Sequence, residues 1–163
     1  ATCQELTGIT MDMLADAPHF SQAFAHFLSW CRDSNGNDYE MYAWSENDWR
    51  QLTCEMRLKK LDMADEDIRW MLDHWQNFQQ IYCNLLGLDN VISLDKAVST
   101  LGETFDGQMH DALWDARNTS KLYVLSKKKD EFRDIMQPII DATKPAEPLT
   151  FSLADAFRAA IRK

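Results

Sequence analysis

The stretch Met109-His110-Asp111-Ala112-Leu113-Trp114-Asp115-Ala116-Arg117-Asn118 places a His and an Asp five residues apart at the entry of an amphipathic helix. Asp111 is a candidate N-cap, and an acid in a first turn favours the helix dipole. Each residue taken singly therefore has a structural explanation, but the pair also has a chemical one. A carboxylate one turn into a helix can hold a hard divalent cation, and a His just before that turn can lean over it and take a proton from an attacking water. The spacing predicts a helix from Ala112 to Ser126, with Leu113, Ala116, Leu122 and Tyr123 among its apolar or contact positions.

Upstream, Tyr42-Ala43-Trp44-Ser45-Glu46-Asn47-Asp48-Trp49-Arg50-Gln51-Leu52 reads as the end of a short strand over Tyr39 to Trp44, a turn, and a helix with an acid at its start. Ser45 or Asn47 can cap that helix, which puts Asp48 in its first turn at the carboxyl end of the strand, where ligands gather in open α/β sheets. Nearer the front lies Leu6-Thr7-Gly8-Ile9-Thr10. In their order and separation the three stretches resemble the DEDDh branch of the ribonuclease H-like 3′–5′ exonucleases, and within it the Eri-type and KapD-like enzymes. The second motif there is similar to W-G-x-x-D-x-x-Q-L and the third to H-x-x-x-D-D-A-R-N. The resemblance covers about residue 3 to about residue 125.

The resemblance implies an α/β, ribonuclease H-like exonuclease fold, here a helix-rich remainder with few strands. It also implies a partial exonuclease domain over residues 1–126 followed by a C-terminal helical extension over 127–163. Carried over by position, Asp48 is the acid of the second motif, His110 the general base and Asp115 the acid of the third. Asp48 and Asp115 would bind two divalent metal ions, Mg or Mn, and Leu6, Thr7, Gly8 and Ile9 would line the pocket for the terminal nucleotide. The implied activity is hydrolysis of single-stranded nucleic acid from its 3′ end, with RNA favoured over DNA. The alternative is a non-catalytic exonuclease-like module that binds RNA ends or a protein partner.

The family's opening strand carries an Asp-x-Glu pair that has no counterpart in these residues. Two metals roughly 3.5–4 Å apart need more anionic ligands than Asp48 and Asp115 supply, and a lone Tyr39–Trp44 strand would leave an unpaired edge. The expectation is therefore the C-terminal portion of an exonuclease domain, without its N-terminal strands and inactive without the first motif.

Composition fits one ordinary globular domain. At 163 residues and 45% hydrophobic content the chain can bury a core. No apolar run approaches the roughly 20 residues of a membrane span, so no membrane partner is expected and the expected location is cytoplasmic. The net charge of −9 argues against broad phosphate binding, although an enzyme that grips only a few terminal nucleotides tolerates it. Cys3, Cys31, Cys54 and Cys83 form no C-x-x-C pair and have no nearby His at zinc-ligand spacing, which argues against a structural zinc. Cys31 and Cys54 read as buried free thiols.

The remaining elements follow from periodicity and punctuation. A short helix is expected over Thr10–Ala15 and a longer one after Pro18, with apolar positions 20, 23, 24, 27, 28 and 31 on one stripe and His26 exposed. Asp33–Asn37 is a turn. A helix over Asp65–Leu72 precedes a second short strand, or its exit, within Trp75–Ile81, and Ser93 caps a helix through Leu101. Asp130–Ala142 reads as helical. Beyond a linker at Lys144–Pro148, Phe151–Ile161 forms an amphipathic helix that either packs on the domain or docks a protein partner.

Overall fold

The computed structural model describes residues 2–36 and 38–143, so the linker and the Phe151–Ile161 helix lie outside the described residues. The chain opens with two short helices, α1 (Cys3–Thr7) and α2 (Met11–Ala15). A capping box between Thr2 and Glu5 starts α1, and Gly8 at φ 73° ends it. The Leu6-Thr7-Gly8-Ile9 stretch is thus half helix and half turn. Thr10 then caps α2 through its side chain.

Helix α3 (Phe20–Asn35) buries Phe24, Leu28 and Cys31 along one face, as the period of its apolar residues predicts. His26 is exposed. Burial pushes the Cys31 thiol above its ordinary pKa, which keeps it protonated and unreactive. Cys54 departs from expectation. It is exposed, because the inward face of its helix is taken by Thr53 and Met56.

Strand β1 (Met41–Ala43) leads to α4 (Glu46–Leu58), then α5 (Glu66–Asp73), and the chain returns as β2 (Trp75–Asn77). The strands pair in parallel, Met41 with Trp75, Tyr42 with Gln76 and Ala43 with Asn77. A parallel pair needs a crossover, which α4 and α5 provide. Asp65 caps α5 by accepting the Asp67 and Ile68 N–H groups. The expected second strand is shorter than its bracket, because Asn77 caps α6 (Phe78–Leu85) and turns the chain into helix at once.

Helix α7 (Leu94–Ser99) precedes an irregular stretch over 103–111, after which α8 (Ala112–Lys127) and α9 (Lys129–Thr143) complete the described chain. Asp111 caps α8 by accepting the Leu113 and Trp114 N–H groups. The boundaries match the expected helix to within a residue at its end.

Successive strand residues point to opposite sides of a sheet, and β1 uses this to join two apolar clusters. Tyr42, with Trp44 just beyond the strand, packs against the cluster of Phe78, Tyr82, Leu86, Val98, Leu122, Phe132 and Met136. Met41 and Trp75 pack against Phe24, Leu28, Met56, Ile68 and Met71. Among the described residues the chain is helix-rich with two strands, compatible with an α/β class. No described helix is long and apolar enough to cross a membrane.

Candidate active site

One cleft of about 1290 Å³ gathers the three residues singled out for chemistry. Asp48, His110 and Asp115 all line it, although they stand 62 and 67 positions apart from the first to the others in sequence. The carboxyl end of β1 supplies one wall, the start of α8 and the residues before it the other.

On the first wall, Asp48 is held by its own helix start. Its carboxylate accepts the Ser45 main-chain N–H at 3.3 Å and the Ser45 hydroxyl at 3.2 Å, while the Ser45 hydroxyl accepts the Asn47 N–H at 3.2 Å. This is a capping box with Asp in place of the usual Glu. Asp48 remains exposed, so a ligand can reach it.

On the second wall, His110 sits at φ 67°, a conformation uncommon for any residue with a Cβ. Such backbone costs about 1–3 kcal/mol and persists only where its surroundings enforce it. The Asp115 carboxyl lies close enough to His110 to feel its main-chain N–H and its ring charge, and both residues line the cleft. Burial pushes the Asp115 carboxyl above the usual carboxylate range. The neighbouring charges of Asp111 and Asp48 add to this, and the His110 N–H and ring oppose it.

Close contacts fix the approach to His110. A Cβ on Gly107 would lie 2.1 Å from the Trp114 ring, so only glycine lets the chain lie against that indole, and its φ of 73° also favours glycine. Gln108 donates to the Leu6 carbonyl at 3.3 Å, which joins the front of the chain to this loop. Of Leu6, Thr7, Gly8 and Ile9, however, only Thr7 lines the cleft. Leu6 and Ile9 are exposed beside it, at 43% and 45%.

The cleft also holds residues that sequence reasoning passed over. Asp95 and Ser93 line it from the start of α7. The Ser93 hydroxyl beside the Asp95 carboxylate holds it below the usual range, helped by N–H groups of the first turn and by the charge of His110. A Ser before an acid reads as capping alone, and no sequence signal placed it near His110. Trp44 and Trp75 line the cleft too, and their indole N–H groups have no hydrogen-bond partner among the described residues. Trp49 and Trp114, the tryptophans flanking the two acids in sequence, do not line it; the Trp114 ring instead lies under the Arg117 guanidinium, 4.8 Å from its centroid.

Among the described residues no group of three or more His, Cys, Asp or Glu side chains is disposed to hold a metal. Asp48 and Asp115 therefore offer part of a coordination shell and not a complete one.

The sequence profile of the exonuclease family (RNase_T) matches residues 1–123. The chain is similar to ERI1 exoribonuclease 2 of Danio rerio, 30% identical over 142 residues, covering 75% of this chain and 24% of that protein. It thus spans about a quarter of the length of the curated relative it matches. No solved structure matches it.

Proposed function

The chain belongs to the exonuclease family, and from that premise we propose that it carries the nucleolytic centre of a DEDDh-type, ribonuclease H-like 3′–5′ exonuclease acting on single-stranded nucleic acid. The observation that supports this reading is the convergence of Asp48, His110 and Asp115 on one cleft. RNA is the favoured substrate, in keeping with the exoribonuclease name of the relative.

In this reading His110 takes the proton of a water that attacks the terminal phosphorus. The bond to the 3′ oxygen of the preceding nucleotide breaks, that oxygen takes up a proton, and a nucleoside 5′-monophosphate leaves. General-base catalysis of this kind contributes about 10²–10⁴-fold. His110 is exposed at the rim of the cleft, within reach of such a water. Asp48 and Asp115 are assigned to divalent ions, Mg or Mn, which would neutralise the phosphate. With an incomplete ligand set on the described residues, the chain's own part is to place these two carboxylates and to move the proton. Thr7, with Leu6, Gly8 and Ile9 beside it, is assigned to the terminal nucleotide. Residues 1–126 are assigned to the exonuclease unit, with α9 completing its apolar cluster through Phe132 and Met136.

A second reading is favoured by the absence of a three-ligand group among the described residues: an exonuclease-like module that binds RNA ends without cutting them. A 5′-labelled single-stranded RNA incubated with Mg²⁺ or Mn²⁺ separates the two. A ladder of shortening products, abolished by EDTA and by Asp115→Ala, would establish the enzyme and mean that the missing first-motif acids are present in trans or replaced. Retention of the RNA at full length, bound but uncut, would fit either the module or the expected inactivity without the first motif, and shortening restored by supplying the Asp-x-Glu acids would exclude the module.

A further inference from the structure

We propose that Asn118 is the positioning residue that holds His110 at the cleft, acting through the backbone of Asp106. The inference rests on the reading of His110 as the base. Asn118 is fully buried in α8, at 0% exposure, and none of its polar atoms faces solvent chemistry. Its amide oxygen accepts the Asp106 main-chain N–H at 3.1 Å, and its amide nitrogen donates to the Asp106 carbonyl at 3.0 Å. The same nitrogen donates to the Trp114 carbonyl at 2.8 Å.

The side chain thus behaves as a peptide group, offering one donor and one acceptor to both polar atoms of a single residue in an irregular stretch that has no ladder of its own. A side-chain amide offers this pair whatever the pH, because it does not titrate. Asp106 stands four positions before His110, and the intervening Gly107 is pressed on the Trp114 ring, one turn from Asn118 on the same helix. The loop is therefore gripped at Asp106 and Gly107 by α8, the helix that bears Asp115. Base and acid inherit one frame of reference. The surface pair of Lys121 with Asp106 lies over the same point, but an exposed ion pair contributes little.

The test combines amide exchange with a double-mutant cycle on single-stranded RNA. Asn118→Asp exchanges the amide for a carboxyl, which accepts but cannot donate when ionised; Asn118→Ser, smaller and milder, carries the test if the first variant does not fold. The expected result is faster exchange at residues 105–110, with the interiors of α4 and α6 unchanged, and a fall in kcat of about 100-fold at nearly constant KM, the size expected for a base displaced by about 1 Å. In a His110→Ala background the same substitution should cost less than about twofold, because its effect runs through His110. Lys121→Gln should stay within about twofold of wild type.

An equal loss from Asn118→Asp in both backgrounds would show a merely structural role and overturn the proposal, as would unchanged exchange over 105–110. Equal cleavage by wild type and His110→Ala would instead overturn the base assignment. The exchange data would then still decide whether Asn118 holds the loop.

Discussion

The two walls of the cleft are built by opposite means. Asp48 is placed by contacts no more than three residues away, the capping box with Ser45. His110 is placed by contacts that reach across the chain: Gln108 to Leu6, 102 positions away, and Asp106 to Asn118, 12 positions away. The first wall would form wherever its helix forms. The second needs the tertiary fold, and it holds a residue at positive φ that would relax without it. One cleft therefore joins a locally determined carboxylate to a histidine whose geometry is imposed from outside.

The sharpest way to break this comparison is at the chemistry itself. His110→Ala and Asp115→Ala should each lower the rate of RNA shortening by about 10²–10⁴-fold, measured as initial rates under Mg²⁺. Gly107→Ala comes next. The new methyl meets the Trp114 ring and the backbone is at positive φ, so a cost of about 1–3 kcal/mol is expected in urea unfolding. Amide exchange should quicken at 105–110 and stay unchanged over 46–49. Uniform loosening of both walls would contradict their separate origins.

Ser45→Ala should cost about 1 kcal/mol, the usual value of an N-cap, and should release Asp48 while leaving the His110 loop intact. The smallest effect belongs to the Ser93–Asp95 pair. Because the Asp95 carboxyl lies below its ordinary range in the fold, its contribution to stability is present above about pH 4 and is lost as pH falls through the lowered folded value. Solvent screening keeps it small. Ser93→Ala should slightly reduce stability near neutral pH and reduce the difference between neutral and acid conditions, as read by thermal melting at both.

The same contrast explains what could be read in the sequence. Asp111, Asp65 and Ser45 act within four residues of themselves, and the helices they start were legible from spacing and capping chemistry, whereas the helix that Asn77 starts fell inside an expected strand. His110 and Asp115 could be paired because their spacing carries a chemical meaning. Asp95 could not be joined to them, since its approach depends on how α7 is docked. Cys54 shows the limit on faces: its helix has a narrow buried stripe at Thr53 and Met56, and one residue's rotation separates inside from outside. The contact of Asn118 with Asp106 was not legible, because the loop at Asp106 has no periodicity from which a contact can be inferred.

The central claim is that both walls serve one nucleolytic site. The most direct test is the initial rate of 3′-end shortening of a labelled single-stranded RNA by wild type, Asp48→Asn and His110→Ala, each shown to be folded by its thermal melt. Shortening by wild type and its loss in both variants is the predicted result. Wild-type shortening that survives either substitution would place the chemistry elsewhere, and a wild-type chain that binds RNA without shortening it, even when the Asp-x-Glu acids are supplied, would contradict the nuclease assignment.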